Sequence, residues 1–190
     1  MPPAACHRPG RRAAAWRMAA WACTLGLAAL ALPARAAGFP AAYEPLVLRP
    51  SGLPEHAEFD LSAALERARR EHKRLYVYLG ADDCRYCRRY EAFLDQHAAE
   101  LAPHFAADWL VVDLRSSLSV RADAVFLRFD GQRRSFAEFQ SDIGDERGHF
   151  LVYPHVWVLD GRARPLMQMP VGTGTFQTVP EQLEILRLDR

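Results

Sequence analysis

The stretch Leu75-Tyr76-Val77-Tyr78-Leu79-Gly80-Ala81-Asp82-Asp83-Cys84-Arg85-Tyr86-Cys87 decides how the rest is read. Its first five residues are uncharged β-formers, which predicts a buried central strand. Gly80 to Asp83 reads as a turn with acidic N-cap candidates. A helix is then predicted from about Cys84 to about Ala102. Tyr90, Phe93, Leu94, His97, Ala98 and Leu101 fall on one face of it. The two cysteines thus open a helix, with Arg85 and Tyr86 between them.

Working outward, a helix is predicted from Asp60-Leu61-Ser62 to about His72, with Leu61, Ala64, Leu65 and Ala68 at helical spacing. Trp109 to Leu114 is a second buried strand. A strand, a helix and a strand in that order make a parallel βαβ unit. Ala124 to Phe129 reads as a short strand, turned at Asp130-Gly131. Ser135-Phe136-Ala137-Glu138 fits a capping box opening a helix to about Ile143. His155 to Leu159 is a third strand behind Pro154. Asp160-Gly161 turns it into a fourth, near Arg164 to Met169. Pro180-Glu181 opens a last helix, to about Leu188. Phe126, Phe129, Phe136, Phe139 and Phe150 are assigned to the core of the middle stretch.

The chain has 190 residues, 24 basic and 23 acidic side chains and 50% hydrophobic residues. That is ordinary globular composition. The charge is uneven: residues 1–36 hold five arginines and no acid. The remaining 154 residues carry 19 basic and 23 acidic side chains, a net of −4, which argues against a nucleic-acid partner. Residues 1–36 have a basic start, an apolar run from Met18 to Leu32, and Ala34-Arg35-Ala36. This is the layout of a cleavable export signal, with cleavage after Ala36 and a periplasmic destination. An irregular lead-in is expected over 37–59, and one domain over 60–190.

Cys6 and Cys23 leave with the leader, so the mature chain keeps Cys84 and Cys87 alone. In an oxidising compartment such a pair tends to be bridged or catalytic. A bridge across so short a loop removes little unfolded-state entropy, which favours redox chemistry over stabilisation. Zinc is the competing use, with His149 and His155 completing a four-ligand set. A helix-mounted pair ahead of a proline-led strand fits a redox site better.

Several matching runs occur in order. Lys73-Arg74-Leu75-Tyr76-Val77-Tyr78-Leu79 leads into Cys84-Arg85-Tyr86-Cys87. Val111-Val112-Asp113 follows, then Tyr153-Pro154 before Val156-Trp157-Val158-Leu159-Asp160-Gly161. On these residues the chain resembles secreted thioredoxin-like proteins, over roughly Asp60 to Leu188. Phe129-Asp130-Gly131 followed by Ala137-Glu138-Phe139 is similar to the periplasmic thioredoxins that accompany bacterial sulfur oxidation. The resemblance implies an α/β thioredoxin-like fold. A central mixed sheet would be flanked by helices, with an insertion between the second strand and the cis-proline strand. It implies a thiol–disulfide oxidoreductase working through Cys84 and Cys87, without a bound cofactor or metal. It further implies a cis Pro154 beside the pair and a Tyr153 backbone that binds substrate. Partners would be protein thiol or disulfide clients and a redox protein, membrane-bound for example, that resets the cysteines.

The chemistry asks for this arrangement. Unpaired N–H groups and the macrodipole at a helix start favour a thiolate at Cys84. Cys87, one turn in, would then attack the mixed disulfide that Cys84 forms. Arg85, Arg88 and Arg89 strengthen the thiolate, and Asp82 and Asp83 oppose it. Two positions depart from the family pattern: Asp83 replaces a tryptophan, and Tyr78 replaces a buried acid that assists proton transfer. The alternative from another class is a thioredoxin-like scaffold that binds a metal or a client peptide and keeps a static disulfide.

Overall fold

The computed structural model describes residues 37–52, 56–142, 150–168 and 178–187, all within one unit, Arg35–Arg190. The leader, its cleavage site and His149 lie outside the described residues.

The lead-in is not irregular. It holds a 3-10 turn at Ala41–Tyr43 and two strands, β1 (Leu46–Leu48) and β2 (Ala57–Asp60). Both are too short for a periodicity to register, and Pro45 and Pro50 flank β1. Pairing creates them: β1 lies along Val112–Leu114 of a later strand and becomes the short edge strand of that sheet. Helix α1 (Ser62–Arg70) follows, with Ala64, Leu65 and Ala68 buried as the spacing predicts.

Strand β3 spans Arg74–Ala81, and every residue from Leu75 onward is buried. The predicted long helix is two helices, α2 (Arg85–Gln96) and α3 (Ala98–Asp108). His97 breaks them, with φ −106° and ψ 19°, and its N–H turns to the Phe93 and Asp95 carbonyls. The helical stretch also runs past the expected end at about Ala102, and Pro103 lies inside α3. The carbonyl that proline leaves without its helical donor belongs to exposed Ala99. Strand β4 (Trp109–Ser116) is buried along its whole length.

Strands β5 (Val125–Phe129) and β6 (Gln132–Ser135) form a hairpin across Asp130-Gly131. Gly131 takes the positive φ (80°) that the turn needs. Helix α4 (Phe136–Asp142) starts with the predicted box. Ser135 N–H donates to Glu138 Oε2 at 2.6 Å, and Glu138 N–H donates to Ser135 Oγ at 3.2 Å. Strands β7 (His155–Leu159) and β8 (Pro165–Gln168) and helix α5 (Val179–Leu186) complete the chain.

The main sheet runs β1-β4-β3-β7-β8. β4 is parallel to β1 and β3, while β7 is antiparallel to β3 and β8. A second sheet runs β2-β5-β6. The protein is thus mixed α/β, with mixed sheets flanked by helices. Helix α5 is pinned to the core by buried side chains. Tyr76 and Tyr90 hydroxyls meet at 2.7 Å, Tyr90 donates to Gln182 Oε1 at 2.7 Å, and Gln182 Nε2 donates to Tyr76 at 3.3 Å. Phe136 and Phe139 are buried against Trp157 and Phe129 stacks on Phe139, as assigned from sequence, whereas Phe126 is only half-buried. Phe150 is not core: it is 71% exposed.

Candidate functional site

The site lies where the ends of β3 and β4 meet the start of β7. Asp82 N–H donates to the Ser116 carbonyl at 3.3 Å, and Cys84 N–H donates to the Ala81 carbonyl at 3.1 Å. These bonds fold the turn so that Cys84, in extended conformation (φ −89°, ψ 119°), caps α2. Cys84 and Cys87 are joined by a disulfide, with Cα atoms 5.3 Å apart. The Cys87 N–H donates to Cys84 Sγ at 3.0 Å. A cap side chain normally offers an oxygen to this donor; here the acceptor is the first cysteine's sulfur. The same N–H would stabilise a Cys84 thiolate.

Helix α2 buries Cys87, Tyr90, Glu91 and Leu94, at helical spacing. Its other face exposes Arg85, Tyr86, Arg88 and Arg89. Cys84 is 2% and Cys87 0% exposed. The first cysteine is the outer of the two, but in the bridged state only barely.

The Tyr153–Pro154 peptide is cis. Leu79 pairs with His155 in the antiparallel β3–β7 register, so Pro154 lies at the sheet end that carries the cysteine turn. Tyr153 is buried, and its hydroxyl donates to Ser116 Oγ at 3.0 Å. Burial pushes the Tyr153 phenol above its ordinary pKa. His155, a zinc candidate in the sequence, is a core residue, its ring 4.5 Å from that of Trp157 and 5.5 Å from that of Phe136. Among the described residues no three His, Cys, Asp or Glu side chains converge as a metal site would require.

Sequence reading missed a buried ionic cluster. Arg115 on β4 has a side chain only 1% exposed. Its Nη1 donates to Glu91 Oε1 at 2.9 Å and lies 3.5 Å from Asp113 Oδ1. Its Nε and Nη2 both donate to Asp82 Oδ1, at 3.0 and 2.8 Å. Tyr78 is part of the same network, donating to Glu91 Oε1 at 3.0 Å. The acid expected at position 78 is thus absent, but Asp113 occupies the register partner of Tyr78 on the neighbouring strand. Glu91 follows Cys87 by one helical turn on the buried face. One signal was available: a lone Asp113-Leu114-Arg115 charge pair at the end of an apolar run. Nothing in the sequence told which acids Arg115 would meet.

Burial raises Asp113 above the ordinary carboxylate range, against the opposing pull of the Phe39 N–H and Arg115. Burial also acts to lower Arg115, but Asp113, Asp82 and Glu91 outweigh it and hold the guanidinium charged. For Asp82 burial raises, and the bonds from Arg115 and Arg49 prevail, leaving it below its ordinary value. Asp82, read from sequence as opposing the thiolate, therefore has its charge answered from within the protein. Asp83 Oδ1 accepts the Leu118 N–H at 3.0 Å.

No known family model matches this chain, and a comparison with curated proteins finds no significant relative. Function therefore rests on the site itself. A bridged Cys-x-x-Cys at a helix start suits redox exchange. Beside it, a cleft of about 790 Å³ between residues 37–49 and α2 reaches Glu91, Asp113 and Arg115. No helix among the described residues is long and apolar enough to cross a membrane.

Proposed function

We propose that this chain is a thioredoxin-like thiol–disulfide oxidoreductase, exported by its leader to the periplasm. The observation that carries the reading is the Cys84–Cys87 bridge at the N-terminus of α2, with the Cys87 N–H on Cys84 Sγ. The order of β3, α2, β4 and the Pro154-led β7 supports it, with the segment between β4 and β7 as the insertion. Cys84 thiolate attacks a client disulfide, releases one client thiolate and forms a mixed disulfide. Cys87 loses its proton and attacks Cys84 sulfur. The second client thiolate leaves, and the protein is left with the bridge seen here. A separate redox protein returns the pair to dithiol. Tyr153 offers backbone groups to an extended client strand.

The rival reading, a binding scaffold with a static bridge, draws on the burial of both cysteines. Equilibration against glutathione separates the two. An oxidoreductase titrates within the range of known exchange proteins, about −120 to −270 mV. A bridge below about −300 mV that exchanges slowly overturns the proposal. A Cys87→Ser variant should accumulate mixed disulfides with clients through Cys84, and Cys84→Ser should accumulate none. N-terminal sequencing of the exported protein should read from Ala37.

A further inference from the structure

The outer face of the first α2 turn carries a charge opposite to that of the mature body. Arg85 and Arg88 are exposed beside the two cysteines. Among the described residues neither pairs with a carboxylate; Arg88 reaches only the Asp82 carbonyl oxygen, at 3.4 Å. Arg89 is exposed on the same turn, and Arg49, 67% exposed at its side chain, joins the ring through Asp82. The two acids of this rim are exposed, but each is already hydrogen-bonded within the protein. Asp82 is held on both oxygens, by Arg115 and by Arg49, and Asp83 accepts a backbone N–H from Leu118. Two exposed apolar side chains share the rim: Tyr86 between the cysteines, 56% exposed, and Leu118, 51% exposed.

Resting on the oxidoreductase reading, we propose that this rim selects clients whose reactive cysteine lies in an acidic segment with an apolar residue near the sulfur. Arg85 and Arg88 would meet the client acids, while Tyr86 and Leu118 cover its apolar residue. The mature body is net acidic (−4), so the exposed arginines beside the cysteines add a local attraction for an acidic client that the overall charge does not supply. Such charges act on encounter and orientation more than on final affinity.

The test compares two synthetic peptides, each holding one cysteine as a mixed disulfide with 2-mercaptoethanol. One cysteine is flanked by aspartates and the other by lysines. The reduced full-length mature protein reduces each peptide disulfide to two thiols while its own dithiol becomes the bridge. Quenched alkylation gives the rate, normalised to reduction of the same peptide by dithiothreitol. That normalisation corrects for the intrinsic reactivity of the peptide sulfur. The dithiothreitol thiolate is itself an anion, so the selectivity is the ratio for the parent divided by that for the Arg85→Glu/Arg88→Glu variant at the same salt. At about 20 mM salt the acidic peptide should react roughly tenfold faster, and the ratio should fall to about twofold or less in ~0.5 M salt. The double variant Arg85→Glu/Arg88→Glu should abolish or reverse the ratio. Arg162→Glu, exposed on the β7–β8 turn, should leave it unchanged. Any loss of Cys84 thiolate in the double variant slows both peptides alike, so the ratio isolates selection. Equal rates for the two parent peptides overturn the proposal, as does a ratio indifferent to salt or to the double substitution. No reaction with either peptide overturns the oxidoreductase reading itself.

Discussion

Two ionic clusters in this protein are near mirror images. At the end of β4, Arg115 is one cation caged by Asp82, Glu91 and Asp113. On the second sheet, Glu58 is one anion held by Arg128, Arg133 and His56. The chemistry is the same and the surroundings differ. The Arg115 side chain is 1% exposed, whereas Arg128 and Arg133 keep 44% and 43%. Arg133 also stacks over the Phe126 ring at 3.3 Å, with His56 against the same ring. Burial turns such a set from a modest surface contribution into a structural commitment, because each unpaired charge would have to be solvated by protein alone. Two of the acids end on opposite sides of their ordinary values, while Asp82, half-exposed at the edge of the Arg115 cluster, is lowered as Glu58 is. Burial raises Asp113, whereas for Glu58 the hydrogen bonds from Arg133 and Arg128 outweigh burial and lower it.

The largest effect should come from Arg115→Met. It leaves Glu91 and Asp113 without their cation behind β4. Loss of one partner from a buried charge set costs about 3–5 kcal/mol. Denaturant unfolding should show a lower midpoint with little change in slope. A loss under about 1 kcal/mol would mean that the cluster is solvated in solution, and the contrast with Glu58 would disappear.

Gly80→Ala approaches the same cluster from β3. A Cβ there would lie 2.6 Å from Arg115 Nη1 and 2.7 Å from the Tyr78 ring. Both neighbours are buried and hydrogen-bonded, so neither moves freely. Overpacking of this kind costs about 1–3 kcal/mol. The substitution should weaken the Arg115 network, and the Arg115→Met background should absorb most of the loss. Full additivity of the two would show that Gly80 is crowded by Tyr78 alone.

The contrast between the clusters also marks what the sequence could tell. The cores of β3, β4 and β7 were legible because Leu75–Leu79, Trp109–Val112 and Val156–Leu159 are runs of apolar and aromatic β-formers. The Cys84 helix start and the Ser135–Glu138 box were legible because capping is a local affair. The edge strands β1 and β2 were not, since three or four residues form a strand only when a neighbour supplies the other half of the ladder. The break at His97 was hidden for a similar reason, as apolar spacing runs through it. Arg115 was legible as a residue and illegible as a cluster. Its partners come from the turn before α2, from α2 and from β4, and only the fold brings them together.

Substitution in the outer cluster should cost far less. A double-mutant cycle between Glu58→Gln and Arg128→Gln should give a coupling of about 0.2–1 kcal/mol, the range of exposed pairs. About 0.5 M salt should reduce it, since the arginines face solvent. A coupling above about 2 kcal/mol would show that stacking on Phe126 removes Glu58 and its arginines from water, and would place the two clusters in one class.

The smallest effect is a difference in pH slope, and it has opposite signs at Glu58 and at Asp113, the most buried acid of the Arg115 cluster. Glu58 is lowered in the fold, so the unfolded chain binds its proton more readily. Its stabilisation is present above the ordinary carboxylate range and is lost as pH falls through the depressed value. Asp113 is raised, so the folded chain holds the proton longer. Its contribution is fullest below the ordinary carboxylate value and declines as pH rises from there through the raised one. Measured against the parent, Glu58→Gln should therefore look worst at neutral pH and recover in acid. Asp113→Asn should look worst in acid and gain on the parent as pH rises across its window. Both variants keep the shape of the side chain, so a purely steric loss would be flat with pH. Slopes of the same sign would mean that Asp113 is held charged by Arg115 after all, and burial would no longer be the feature that divides the two clusters.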